Sequence, residues 1–173
     1  MDFAKFQWYN GIMEEWCASF SPVFTPECRV LVLGSMPGAA SLRAGAYYAH
    51  PRNAFWPILF ALWGETPPAD YPSRLAFALE RGVALWDAAR LCRRAGSEDA
   101  SIRDAVPNDL SALRAQCPRL NRIFYNGQAA ARLAMPAPWA RCTTLPSTSP
   151  AHAVHFDRKL AAWRALREAL EQG

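Results

Sequence analysis

Little in this chain points to metals, membranes or secretion. Its five cysteines (Cys17, Cys28, Cys92, Cys117 and Cys142) are odd in number and widely spaced, with no C-x-x-C pair. A zinc ribbon or an iron–sulfur cluster therefore has no local support. Scattered thiols suit a reducing compartment, so a cytoplasmic location is expected. No stretch approaches about 18 uninterrupted apolar residues, so no transmembrane helix and no membrane partner are expected. Met1 to Trp16 carries acids and tryptophan rather than a basic-then-apolar pattern, which does not read as a secretory signal. The three histidines, His50, His152 and His155, are too scattered to suggest a metal site, and no cofactor is expected. No lysine follows the glycines as a G-x-x-x-x-G-K-[ST] phosphate loop requires. Internal repeats and low-complexity tails are absent too.

What is present is an ordinary soluble composition, 51% hydrophobic and 20% charged over 173 residues, enough for one domain with a real core. The formal charge of +4 and a pI near 9.0 favour an anionic partner.

The chain is organised around Val30 to Trp56. The apolar run Val30–Leu33 reads as a buried strand and stops at Gly34. Pro37 and Gly38 follow, then the polar and aromatic segment Tyr47-Tyr48-Ala49-His50-Pro51-Arg52-Asn53, then a helix-like stretch from Ala54. In open α/β sheets ligands bind at the carboxyl ends of strands, where loops leave a crevice with free backbone N–H groups.

Around this stretch strands and helices alternate. Residues 1–20 read as a short helix or an ordered lead-in, with 1–18 set apart from a single domain over 19–173. Strands are expected at Arg29–Leu33, Gly82–Asp87, Arg122–Asn126 and Arg141–Leu145. Phe55, Ile58, Leu59 and Leu62 mark one helix, ended by Gly64. Leu75, Phe77, Ala78 and Leu79 mark another, closed by Gly82. Cys92 to Ser101 reads as a charged loop. Asn108 or Asp109 caps a helix through Leu110, Leu113 and Cys117. Gly127 opens a short Ala-rich helix. The last helix, from about Val154, turns Leu160, Trp163, Leu166 and Leu170 inward and Arg158, Arg164 and Arg167 outward. The alternation predicts a three-layer α/β/α fold around a four-stranded parallel sheet. Its strand ends, Gly34-Ser35, Asp87, Asn126 and Ser147, converge on one cleft.

Several chemistries are open to this cleft. Ser35, His50 and Asn53 allow a serine hydrolase reading, but G-S-M-P-G is not the G-x-S-x-G elbow. Bland roles exist as well: Asn53 as a cap for the helix at Ala54, Tyr47 and Tyr48 as packing, His50 as a structural hydrogen bonder.

Taken together, the spacing resembles the first motif of the uracil-DNA glycosylase superfamily, a strand ending in G-x-x-P followed by a base-stacking aromatic. Tyr48 to Trp56 echoes the F-A-H-P-x-N-R-F-W segment of the mismatch-specific (G:T/U) branch. The nearer resemblance is to the hypoxanthine (deoxyinosine) DNA glycosylase family. It is carried by Gly34–Gly38 (G-S-M-P-G), Tyr47–Trp56 (Y-Y-A-H-P-R-N-x-F-W), Ala84–Asp87 (A-L-W-D), Tyr125-Asn126-Gly127 and Leu145–Ala151 (L-P-S-T-S-P-A). It runs from about Ser19 to the last helix.

The resemblance implies an enzyme of base excision repair that flips a deaminated base, hypoxanthine first, out of DNA and hydrolyses its N-glycosidic bond. Tyr48 would be the stacking platform. Gly34, Ser35, Met36, His50 and Asp87 would line the base site, with Asp87 accepting the N1–H of hypoxanthine or simply fixing its own loop. Most relatives place a water-handling Asp or Asn where this chain has Met36; the catalytic role would pass to Asn53. Leucine stands at Leu145 where relatives carry a charge-stabilising His or Asn, consistent with weak uracil activity. Ser147, Thr148 and Ser149 would hold phosphates, with Pro37 and Gly38 also against the DNA. The family's P-A-N-A becomes Pro150-Ala151-His152-Ala153, where His152 contacts DNA or the base, or caps the last helix. The motifs contain no lysine for a Schiff base, so a monofunctional, monomeric enzyme is expected. The alternatives are a broader uracil/xanthine or G:T/U mismatch-specific DNA glycosylase, a catalytically weak lesion-binding module and a small-molecule hydrolase.

Overall fold

The computed structural model describes residues 7–9 and 12–172. Its centre is a parallel sheet of β3 (Val30–Gly34), β4 (Val83–Asp87), β7 (Arg122–Asn126) and β8 (Arg141–Leu145), in the order β4-β3-β7-β8. Val30 pairs with both Val83 and Arg122, and Arg122 with Arg141, so the strands run in step to one carboxyl-terminal edge.

Helices cover both faces because the strand residues alternate. Val30, Val32, Val83 and Leu85 face a layer made by α2 (Phe55–Ala61), α3 (Tyr71–Glu80) and α6 (Phe156–Glu171), with Phe55, Ile58, Leu59, Phe77, Trp163 and Leu166 in one apolar cluster. Leu31, Leu33, Ala84 and Ile123 face Leu110 and Leu113 of α4 (Leu110–Gln116), and Leu133 of α5 (Gln128–Leu133) packs on that cluster. Full burial of each such Leu, Ile or Phe contributes about 1.5–3 kcal/mol. The expected three-layer architecture and its four parallel strands are thus present, with ends moved by at most one residue.

Local chemistry explains the helix starts. Asp70 accepts the Ser73 N–H at 2.8 Å ahead of α3. Asp109 accepts from the Ser111 and Ala112 N–H groups ahead of α4, while Asn108 turns away to donate to the Asp87 carbonyl at 2.8 Å. The outward and inward sides of α6 fall as its periodicity predicts: Trp163, Leu166 and Leu170 are buried and Arg158, Arg164 and Arg167 exposed.

Two readings need correction. The amino-terminal segment is not helical where it is described: β1 (Gln7–Tyr9) and β2 (Ile12–Ala18) are strands, and residues 1–6, 10 and 11 lie outside the described residues. The stretch from Cys92 to Ser101 is no plain loop either. It contains the end of β5 (Ala89–Arg94) and a short 3-10 turn at Asp99–Ser101, followed by β6 (Arg103–Pro107). These strands form a second, antiparallel sheet in the order β1-β2-β5-β6. Its alternation is hidden in the sequence because β5 buries an arginine, Arg94, beside Ala89 and Cys92, and is irregular against β6. β5 follows β4 after a single residue, so this sheet lies against the carboxyl edge of the parallel one.

Candidate active site

The cleft is set by how closely β3 and β4 approach. A Cβ placed on Gly34 would sit 2.8 Å from Asp87 Oδ1 and 3.5 Å from Tyr48 Oη, so only glycine lets these three groups meet. The Gly34 and Ser35 carbonyls accept from the Ala88 and Ala89 N–H groups at 2.7 and 3.1 Å, fastening the loop to the β4–β5 junction.

Asp87 is 3% exposed, and its Oδ2 has no hydrogen-bond partner among the described residues. Burial pushes its carboxyl up to about 7; the nearby Tyr47 hydroxyl and the Arg94 charge pull it down, and the Asp99 charge pushes it further up. Near neutrality this group therefore exists as both acid and carboxylate.

The two tyrosines separate cleanly. Tyr47 is core: its N–H donates to Tyr71 Oη at 3.0 Å and its carbonyl accepts from Trp56 Nε1 at 3.0 Å. Tyr48 adopts a left-handed backbone, φ 56°, and stacks on Phe55 with ring centroids 4.0 Å apart. Left-handed backbone is costly for a tyrosine, and such strain is held only where surrounding contacts impose it. Tyr48 Oη is buried without a hydrogen-bond partner among the described residues. Burial raises the Tyr48 phenol well above its ordinary pKa, against the pull of the Asn126 amide.

Asn53 Oδ1 accepts the Phe55 N–H at 2.9 Å, so the helix-start role is real. That bond fixes which end of the amide is which: the oxygen faces the helix, and the NH2 group is left as the donor end. His50 Nδ1 accepts the Arg52 N–H at 3.1 Å, and its carbonyl accepts from Asn53 at 2.9 Å, closing the turn that carries Asn53. Ser35 Oγ donates to Asp99 Oδ1 at 2.5 Å. Ser35 and His50 are thus each engaged elsewhere, and no serine–histidine relay is assembled.

The second motif is tied to the first by Thr148. Its N–H donates to Asn126 Oδ1 at 2.8 Å, its Oγ1 accepts from Asn126 Nδ2 at 2.9 Å, and its carbonyl accepts from Ala54 at 3.0 Å. At 1% exposure Thr148 cannot reach a phosphate, which corrects its expected role: it is the staple between the two loops. Met36 packs with Ala89 and Cys92 against the antiparallel sheet. Leu145 is buried in the main core.

The remaining candidates stand on the loop surfaces. Ser147 and Ser149 are half-buried; Ser147 Oγ accepts the Ser149 N–H at 3.2 Å, and Ser149 Oγ accepts the Ala151 N–H at 3.2 Å. His152 is exposed, with its N–H on the Ser149 carbonyl at 3.1 Å. The residue preceding α6 is His155, so His152 does not cap that helix. Gly38 starts α1 (Ala39–Ala44), and the Pro37 carbonyl accepts from Arg94 Nη2 at 2.7 Å. Among the described residues, no three His, Cys, Asp or Glu side chains gather as metal ligands, and no helix is long and apolar enough to cross a membrane.

Sequence reasoning missed Arg94, Ser97, Asp99 and Lys159. Ser97 Oγ accepts the Ala39 N–H at 2.9 Å, and Lys159 Nζ, on a side chain 4% exposed, donates to the Ser149 carbonyl at 3.3 Å. Each motif loop is therefore held by a buried cation through one backbone carbonyl. An inward Arg or Lys within otherwise exposed charge leaves no pattern to find.

A parallel sheet whose carboxyl edge carries G-S-M-P-G, a buried acid and two stapled loops defines a class of enzyme. The family model of the uracil DNA glycosylase superfamily matches residues 21–171, and the chain belongs to that superfamily. A hypoxanthine DNA glycosylase from Methanosarcina acetivorans is 31% identical over 153 residues, covering 85% of this chain and 95% of the relative. Another, from Methanosarcina barkeri, is 36% identical over 110 residues, 63% of this chain and 70% of that one. A solution NMR structure from Methanosarcina acetivorans, described as a uracil DNA glycosylase, superposes with a TM-score of 0.78 at 30% identity, over 90% of this chain and 99% of that one. Within the superfamily these relatives place the chain in the hypoxanthine DNA glycosylase family, and it is a DNA glycosylase.

Proposed function

We propose that this DNA glycosylase acts chiefly on deoxyinosine, releasing hypoxanthine by hydrolysis and leaving an abasic site. The observation that carries the reading is the meeting of Gly34, Asp87 and Tyr48, where a bare backbone lies beside two buried atoms, Asp87 Oδ2 and Tyr48 Oη, that have no hydrogen-bond partner among the described residues. Unpaired buried polar groups are unfavourable, and a ligand that satisfies them recovers that cost. Hypoxanthine offers the complement, an N1–H donor beside an O6 acceptor. The Asp87 carboxylate accepts N1–H. The Tyr48 ring, backed by Phe55, is the stacking surface for the flipped base.

Asn53 presents its NH2 group to the attacking water. An amide orients water but is a poor base, so the reaction depends on an oxocarbenium-like transition state driven by departure of the base. Leu145 offers no donor to a departing uracil anion, which favours hypoxanthine. Ser147, Ser149, His152, Pro37 and Gly38 face the DNA backbone, and the enzyme acts as a monomer without a cofactor.

The test uses labelled duplexes carrying one inosine, uracil or xanthine, with alkaline cleavage of abasic sites. Cleavage at inosine that disappears with Asn53→Ala supports the reading. A second reading, a lesion-binding module, is favoured by the burial of Met36 and Leu145 at positions that are catalytic in relatives. Tight lesion binding without cleavage at any base would establish it in place of the first.

A further inference from the structure

The amino-terminal edge of the parallel sheet, at the far end from the cleft, is rich in arginine. Arg29 immediately precedes β3, and β7 and β8 open on Arg122 and Arg141, which are paired neighbours. Arg114 on α4 and Arg119 in the loop after it bring the number to five. Arg29, Arg114 and Arg119 line one cavity of about 240 Å³ with Asn121 and Ala169, where the ends of α4 and α6 come together, and no carboxylate lines it.

Two of these guanidiniums are fixed in place. Arg29 Nη2 donates to the Leu170 carbonyl at 2.5 Å, and Arg114 Nη1 donates to the Cys117 and Pro118 carbonyls. Such bonds answer the negative ends of the two helices, an ordinary use of arginine. They do not exhaust it, because a guanidinium carries five N–H donors. Neither residue has a nitrogen that is buried without a partner, so the spare donors are open to solvent.

The charge is also uncompensated. None of the five arginines forms an ion pair with a carboxylate among the described residues. The acids at the end of α6 are turned elsewhere: Glu168 and Glu171 line a separate groove with Arg164 and Arg167, and Glu171 accepts from Arg167 at 2.7 Å. Like charges gathered without counterions repel one another, and a bound polyanion relieves that repulsion. Fixed guanidiniums match phosphate oxygens in geometry as well as in charge.

We propose that this edge is a second DNA site, which takes the phosphodiester backbone of a segment other than the one whose base enters the cleft. Strands of five residues set the two edges about 17 Å apart at opposite ends of the sheet, so a straight duplex laid on one does not reach the other. Contacts to phosphate carry no sequence information, so the site has no base preference and stands whichever base the cleft excises. It keeps the enzyme attached to one segment while the cleft samples another.

The test titrates the full chain with two probes, inorganic phosphate and a short lesion-free duplex, and follows backbone amide NMR shifts beside the number of duplexes bound in sedimentation. Both probes should shift the Arg119 and Asn121 amides, and the wild type should bind two duplexes. Arg119 is exposed, so Arg119→Glu leaves the core intact. It should weaken the second duplex at least about tenfold and keep the wild-type rate of single-turnover excision at saturating enzyme. Arg114→Gln should weaken the second duplex similarly; if that variant does not fold, Arg119→Glu decides alone. Duplex-induced shifts confined to the Gly34–Gly38 amides, or one duplex per chain, would overturn the proposal. So would undiminished binding of the second duplex by Arg119→Glu. Shifts at Arg119 and Asn121 with phosphate but none with duplex would overturn the DNA assignment in favour of a small phosphorylated ligand.

Discussion

Gly34→Ala separates the pocket from the fold. The added methyl would sit 2.8 Å from Asp87 Oδ1 and 3.5 Å from Tyr48 Oη, and its third near neighbour is the Trp86 carbonyl at 3.8 Å. The one severe clash is therefore with a side-chain oxygen, which can rotate away, and the backbone stays within ordinary contact. Overpacking of this kind costs about 1–3 kcal/mol. At about 2–4 °C per kcal/mol for a domain of this size, the Tm should fall by about 2–12 °C and the protein should remain folded at 25 °C. Activity should suffer far more, because the rotation of Asp87 displaces the acceptor by about 1 Å, a misplacement that costs about 100-fold in rate. The assay is single-turnover excision at saturating enzyme beside thermal unfolding. Ile123→Val, fully buried in the opposite cluster, serves as the comparison, since it loses about 0.5–1.5 kcal/mol and should keep its rate. Near wild-type excision by Gly34→Ala would refute the claim that the base sits between Gly34, Asp87 and Tyr48.

Asp87→Asn tests the same site through pH. The folded carboxyl titrates above its unfolded value, at about 7, so its contribution to stability is complete in acid and is lost as pH rises through 7. The neutral amide should therefore raise the Tm more at pH 8 than at pH 5, by thermal melts at both. Excision by the wild type should increase from pH 6 to pH 8 as the acceptor ionises, and Asp87→Asn should lose that slope. Asn53→Ala should slow excision at least 100-fold, with a loss of about 1 kcal/mol from the unpaired Phe55 N–H, read by kinetics and melts together. Asn126→Ala leaves the Thr148 N–H buried without its acceptor and should cost about 1–3 kcal/mol, visible as a lower urea midpoint with lost activity. Asp109→Ala removes a cap remote from the cleft and should cost about 1 kcal/mol without changing excision.

Much of the machine is legible in the residues themselves. The strands β3, β4 and β7 are short runs with apolar centres that end on glycine or polar residues, and that local signal survives folding because central parallel strands are covered on both faces; β8 is the exposed edge strand. Gly34 and Asp87 meet because parallel strands in step bring their ends to one edge, a consequence of topology that alternation alone predicts; Tyr48 reaches them from the segment between α1 and α2, stacked on Phe55. The capping oxygen of Asp109 and the apolar face of α6 are equally local.

Other assignments were decided only by contacts between distant segments. Thr148 reads as a phosphate contact until Asn126, 22 residues away, takes both its N–H and its hydroxyl. That Met36 packs on Ala89 and Cys92 is likewise set by the second sheet. Neither sequence period nor charge announces that Arg94 lies buried beneath Pro37, because one inward arginine in a charged stretch resembles a solvated loop until the second sheet folds over it. Periodicity records which face of an element is apolar; which polar group a buried atom meets depends on how the two sheets pack, and that is where the residues around Asp87 were settled.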